Sequence, residues 1–145
     1  MRTPEVLLVD DNPADTDLTS EVLARTGSPS HIHAVTDGVE AMAFLRREGK
    51  YASALLPDLV ILDLSLPKKD GRTVLAEVKA DPVLRKIPIA IFSTSEAQRD
   101  IVCSYELGAN CYVSKPGNLQ GFISAVTSIG EFWFGLARLP REENL

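Results

Sequence analysis

The chain has 145 residues, 45% of them hydrophobic and 24% charged, which fits one soluble globular domain with a sizeable core. Its net charge of -5 and pI near 5.0 argue against nucleic acid or an anionic membrane as the main partner, since both need clustered Lys and Arg. No apolar stretch is long enough to span a bilayer, and Met1-Arg2-Thr3-Pro4 leads straight into a strand without a signal peptide, so the expected location is cytoplasmic.

In chain order, Val6-Leu7-Leu8-Val9 reads as a strand buried on both faces, because its apolar residues follow one another with neither strand nor helix period. It ends in Asp10-Asp11. Asn12-Pro13 supplies an N-cap and a favoured first helical residue, and a helix is expected to about Thr26, closed by Gly27-Ser28-Pro29. His31 to Val35 alternates apolar and polar residues as a short strand, with His31 and His33 at the surface. Asp37-Gly38 turns into a second helix that buries Ala41, Met42 and Leu45, and Gly49 to Pro57 is a connection. Leu59-Val60-Ile61-Leu62 is a further buried strand ending in Asp63, and Pro67 stops any more sheet pairing.

Asp70-Gly71 opens a third helix, which ends near Ala80 before Asp81-Pro82. The next strand, Ile87 to Phe92, ends in Ser93-Thr94-Ser95, and a helix from Ser95 to Leu107 stops at Gly108. A shorter strand, Asn110 to Val113, ends in Ser114-Lys115-Pro116. The last helix places Phe122, Val126, Ile129 and Trp133 on one face. Phe132 and Phe134 fall away from that face, as a contact surface or as a tail folding back on its own domain. Cys103 and Cys111 have no metal-ligand spacing and read as small buried hydrophobes in a reducing compartment. Arg46-Arg47 and Lys68-Lys69 read as solvated surface.

The expected fold is therefore α/β: a five-stranded parallel sheet, doubly wound with right-handed crossovers, in the flavodoxin-like order 2-1-3-4-5. One strand-end aspartate could simply cap a turn. Here Asp10, Asp11, Asp63, Ser93 and Lys115 all follow strands, and a parallel sheet gathers them on its C-terminal edge, where Asp63 is expected to be displayed. Clustered carboxylates repel one another and raise their own pKa values unless a cation is present. Mg²⁺ is the natural choice, a hard ion that takes oxygen ligands. A cation, an ammonium and a hydroxyl are the parts that stabilise a phosphoryl group in transfer, and a carboxylate can be its nucleophile.

The Asp10-Asp11, Asp63, Ser93 and Lys115-Pro116 set resembles, over nearly the whole chain, the receiver domain of two-component response regulators. The resemblance implies that Asp63 accepts a phosphoryl group from a histidine kinase. It implies Mg²⁺ ligation by Asp10, Asp11, Asp63 and the backbone carbonyl of Ser65, with Asp10 acting mostly through water. Ser93, Thr94 and Lys115 would contact the phosphoryl group, and Ser93 with Tyr112 would form a switch; on the residues alone Tyr112 reads as a core aromatic. Asp10 to Asp15, Leu66 to Gly71, Ser93-Thr94-Ser95, Asn110-Cys111-Tyr112 and Glu131-Phe132-Trp133 look like the cyanobacterial phytochrome response regulators of the Rcp type. That implies a phytochrome-type sensor kinase as partner and a homodimer, with Phe132, Trp133 and Phe134 as its candidate interface. Ser65 and Ser93 stand where the subfamily often has Asn and Thr.

The expected organisation is a receiver domain over 1–135 and a short tail over 136–145 with no output domain, signalling through protein contacts. The expected chemistry is limited to the protein's own phosphorylation and dephosphorylation. A haloacid-dehalogenase-type hydrolase would need an Asp where Ser65 stands, and a nucleotide-binding flavodoxin-like protein would need a Gly-rich loop after the first strand. A degenerate receiver acting only as a binding module would not need the intact acidic set.

Overall fold

The computed structural model describes residues 3–26 and 30–140. Strands β1 (Glu5–Val9), β2 (His31–Val35), β3 (Leu59–Leu62), β4 (Ile89–Ser93) and β5 (Cys111–Ser114) alternate with helices α1 (Pro13–Ala24), α2 (Gly38–Leu45), α3 (Gly71–Ala80), α4 (Gln98–Glu106) and α5 (Leu119–Gly130). All strand pairs are parallel, and the sheet order is β2-β1-β3-β4-β5, as the alternation predicts. No described helix is long and apolar enough to cross a membrane.

The central strands read as continuous apolar runs because both faces of the sheet are covered. Leu7, Val9, Val60, Leu62, Ile89 and Ile91 pack with Met42 and Leu45 of α2 and Leu75 and Val78 of α3. The alternate residues Val6, Leu8, Leu59, Ile61, Ala90 and Phe92 pack with Val22 and Leu23 of α1 and with Phe122, Val126 and Ile129 of α5. Asn12, Asp37, Asp70 and Asn118 each cap a helix by accepting from a backbone N–H of its first turn.

Element ends differ from the sequence reading for local reasons. Helix α1 stops at Ala24, and the Gly27-Ser28-Pro29 terminator lies outside the described residues. Helix α4 starts at Gln98 rather than Ser95, because Ser95 Oγ stays outside it, accepting from Ala97 N at 3.3 Å and donating to Asp100 at 2.5 Å. Strand β5 starts at Cys111, because Asn110 turns its side chain to the neighbouring strand and accepts from Ile89 N at 2.8 Å. Cys103 and Cys111 are half-buried rather than buried: α4 fully buries only Ser104, and β5 is an edge strand. Arg46 and Lys69 are not simply solvated, since both pair with Glu77, at 3.1 and 2.7 Å.

After α5 the chain winds into a π-helical turn, Glu131–Leu136. Phe122, Val126 and Ile129 are buried as the helical spacing predicts, and Trp133 is half-buried beside them. Phe134 does not fall away: it also packs on this core, because the wider π turn moves it off the ordinary helical spacing. Phe132 is 48% exposed.

Two glycines seat the segment that follows β3. A Cβ on Gly71 would lie 2.3 Å from the Asp63 carbonyl oxygen, and one on Gly38 would lie 2.0 Å from that of Lys69. Gly71 N also donates to the Leu64 carbonyl at 2.9 Å. Gly71→Ala is therefore expected to destabilise the protein by about 1–3 kcal/mol, the usual cost of overpacking. Urea unfolding measures this; an unchanged midpoint would show that the β3–α3 segment yields freely.

Candidate functional site

Three strand ends meet at the C-terminal edge of the sheet. Each carries its functional residue one step past the strand, where a backbone hydrogen bond still fixes it. Asp10 N donates to Val35 O at 3.1 Å, Asp63 N to Val9 O at 3.0 Å, and Lys115 N to Ser93 O at 2.7 Å. The positions of Asp10, Asp63 and Lys115 thus follow from strand register rather than from loop conformation.

The Lys115 ammonium donates to Asp10 Oδ2 at 2.7 Å, Asp15 Oδ2 at 2.9 Å and Asp63 Oδ2 at 3.0 Å. An ammonium has three donor hydrogens, so all are used. The second oxygens of two of these carboxylates are also engaged: Asp10 Oδ1 accepts from Asn12 N at 2.9 Å and Asp63 Oδ1 from Ser65 N at 3.2 Å. Asp10, Asp63 and Lys115 are buried, Asp15 is half-buried, and Asp11 is exposed. The sequence reading expected Asp63 to be displayed. It is instead only 8% exposed, recessed beneath its neighbours, and Asp11 is the member that faces solvent.

Burial raises the Asp10 carboxyl above its ordinary range; Lys115 and the Asn12 N–H pull it back, and the charge of Asp63 adds to the rise. Desolvation, more than mutual repulsion, is thus the main perturbation of Asp10. Burial on its own would lower Lys115, but the hydrogen bonds it donates to Asp10 and Asp15 and the charges of Asp63 and Asp10 hold it well above the ordinary lysine range. It stays an ammonium at any physiological pH.

Asp10, Asp11 and Asp63 each offer an oxygen, and these oxygens lie within 4.8 Å of one another. A compact set of hard carboxylate donors fits Mg²⁺ or a similar divalent cation. Ser65, with an exposed side chain, follows this cluster in the chain. Ser93 is buried, with its hydroxyl accepting from Ser95 N at 3.4 Å, and Thr94 is exposed at the rim. Tyr112 lies on β5, and its hydroxyl donates to the Ser95 carbonyl at 2.9 Å. Phe132, Trp133 and Phe134 belong to the C-terminal turn and are not part of this cluster.

Two residues were not singled out by sequence reasoning. Ser95 links Ser93 to Tyr112, and nothing in its sequence context signals this. Asp15 shares Lys115; its signal was available, since an N-cap at Asn12 places Asp15 in the first turn of α1, directly above the sheet edge.

Comparison with known proteins gives a consistent set of relatives. Response regulator Rcp1 of Synechocystis sp. is 44% identical over 135 residues, covering 93% of this chain and 92% of the relative. The probable methanogenesis regulatory protein FilR2 of Methanothrix harundinacea is 38% identical, covering 93% and 86%. Among solved structures, the phosphorylated cyanobacterial phytochrome response regulator RcpA superposes with a TM-score of 0.93 at 50% identity, covering 97% of this chain and all of that one. The Mn²⁺-bound form of Rcp1 superposes with a TM-score of 0.92 at 43% identity, covering 95% and 99%. Residues 6–127 match the response regulator receiver domain, and with an acidic cluster and a lysine at the strand ends the chain belongs to that family.

Proposed function

We propose that this receiver accepts a phosphoryl group on Asp63 from a phosphohistidine of a sensor kinase of the phytochrome type, in the cytoplasm, and signals through protein contacts. The observation that carries this reading is the buried Lys115 ammonium 3.0 Å from Asp63, with two further carboxylates clustered beside that aspartate. The similarity to RcpA, a phytochrome response regulator, supports the choice of kinase class. Residues 1–135 would act as the receiver, with 136–145 as a tail. The net charge of -5 favours a protein partner over nucleic acid.

In this reading an Asp63 carboxylate oxygen attacks phosphorus. The new O–P bond forms as the P–N bond to the kinase imidazole breaks, and the leaving nitrogen keeps the electron pair. Asp11, Asp63 and the Ser65 carbonyl, with Asp10 mostly through water, would hold Mg²⁺, which would supply neutralising charge to the phosphoryl oxygens. Lys115 donates to a phosphoryl oxygen once Asp63 is esterified and no longer a full partner. Ser93 from within the site and Thr94 at its rim supply hydroxyl and backbone donors. The only chemistry proposed is this transfer and the later hydrolysis of the acyl phosphate, in which water takes the phosphoryl group and Asp63 regains its carboxylate.

Output would follow from the Ser93–Ser95–Tyr112 connection. If Ser93 moves to the phosphoryl group, Ser95 N loses its acceptor and the Tyr112 hydroxyl loses a fixed carbonyl. The surface of α4 and β5, where Val102 and Tyr105 are exposed, then changes shape. We assign a homodimer to the face of α4, β5 and α5, with Phe132, Trp133 and Phe134 of the following turn as its candidate contact residues, of which Phe132 is exposed and the other two pack partly on the core.

Three outcomes are expected. Acetyl phosphate with Mg²⁺ adds one phosphoryl mass to the protein, and neither EDTA-treated protein nor Asp63→Asn gains it; an equal gain in Asp63→Asn would move the acceptor elsewhere.

The second concerns Asp10, whose carboxyl is raised in the fold above its ordinary 3.8. The folded state therefore holds that proton more tightly than the unfolded chain. Stability from this group is greatest below 3.8 and is lost as pH rises through the raised value. In EDTA, Asp10→Asn should then be more stable than wild type at neutral pH by on the order of 1 kcal/mol, with the advantage vanishing in acid. Mg²⁺ should stabilise the variant less than wild type. Thermal melts decide, and a variant less stable under every condition would make Asp10 a structural group.

Third, sedimentation velocity should show wild-type association that Phe132→Ala weakens and that phosphodonor alters. A strictly monomeric wild type with and without phosphodonor would refute the dimer.

A further inference from the structure

Asp15 is the one carboxylate on Lys115 that lies outside the three-aspartate cluster. It sits in the first turn of α1, where the Asn12 cap presents it to the ammonium at 2.9 Å. Lys115 has no spare hydrogen: its three donors are divided among Asp10, Asp15 and Asp63. A phosphoryl oxygen can therefore gain a hydrogen bond from Lys115 only by taking one of these three places.

The three places are not equivalent. Asp63 is the proposed acceptor, and its carboxylate charge is consumed on esterification. Asp10 belongs to the oxygen cluster suited to a divalent cation and has reason to turn towards it. Asp15 is in neither position, so it remains a full carboxylate partner of the ammonium throughout. It keeps one of the ammonium's three hydrogens, at 2.9 Å, and it adds a negative charge beside an incoming anion.

We propose that Asp15 is a positioning residue, holding Lys115 in competition with the phosphoryl group and so restraining phosphorylation of Asp63 while strengthening divalent-cation binding. This rests on the receiver reading given above. Neutralising Asp15 would move the two properties in opposite directions. Lys115 would become freer to meet phosphoryl oxygens, and the site would lose one unit of negative charge that attracts the metal. A residue that merely shaped the site would, when changed, impair both.

The test uses the full chain with Asp15→Asn, which keeps the side-chain shape and a carbonyl acceptor. Mg²⁺ affinity is read by isothermal titration calorimetry, and Asp63 phosphorylation by intact mass against time in acetyl phosphate with saturating Mg²⁺. The expected result is a rate about three- to tenfold higher with a Mg²⁺ affinity lower by a similar factor, the scale of one screened unit charge across a few ångström. Asp15→Ala should show the same two signs. Rate and affinity falling together, or neither changing, would overturn the proposal. So would an equal rate gain in a Lys115→Met background, because the effect would then not run through the ammonium. If wild type itself gains no phosphoryl mass at Asp63, the receiver reading fails instead, and the calorimetric result separates the two cases.

Discussion

A single ammonium holds the functional edge of this protein together. Lys115 gives each of its three hydrogens to a carboxylate from a different part of the chain: the end of β1, the first turn of α1, and the end of β3. Without it, buried Asp10 and Asp63 would stand desolvated and near one another with no compensating charge, an arrangement far more costly than any exposed ion pair is worth. The geometry also explains why the cation is a lysine. Strands β5 and β3 are separated by β4, so the span between them is two strand spacings, roughly 10 Å. A flexible four-carbon stem bridges that span, and the compact ammonium at its end can face three directions at once.

The sheet delivers these groups with little freedom. Val9 pairs with Leu62 in the β1–β3 ladder, and Ser93 with Ser114 in the β4–β5 ladder, so Asp10, Asp63 and Lys115 each emerge one residue beyond a paired position. Gly71 lets α3 start against the backbone of Asp63 and Leu64, which closes the floor of the site. By contrast, α4 buries only one residue fully and has no side-chain cap. Its N-terminal end is held by polar contacts, with Asp100 accepting from Ser95 Oγ at 2.5 Å and from the Arg72 guanidinium at 2.5 Å. A rigid edge beside a lightly packed helix suits the proposed conversion of a local charge change into a change of surface.

The sheet order and the strand-end set were legible in the sequence because both depend on short-range pattern. Continuous apolar runs such as Leu59 to Leu62 mark doubly covered strands, and the residue after each run must lie at the sheet edge. What escaped depends on information that pattern does not carry. The recess of Asp63 arises from neighbours distant in sequence, with Lys115 laid across it. Phe134 was misplaced because the helical spacing was extended into a segment that winds as a π turn. The role of Ser95 depends on its carbonyl, which every residue has, so no side-chain reading could find it. Asp15 was passed over although its place in the first turn was readable, because an acidic residue there is already accounted for by the helix dipole, and its contact with Lys115 spans 100 residues.

One buried ammonium is shared among three carboxylates and, in the proposed function, is released to a phosphoryl group. Nitrogen-detected or proton–nitrogen NMR of lysine side chains tests it directly, with Lys115 assigned by its loss in Lys115→Arg. In metal-free protein the expected result is a Lys115 ammonium signal with slow hydrogen exchange that persists at neutral pH, and that shifts when Mg²⁺ and acetyl phosphate are added together. A Lys115 signal exchanging as fast as the exposed lysines, or one unmoved by phosphorylation, would contradict it.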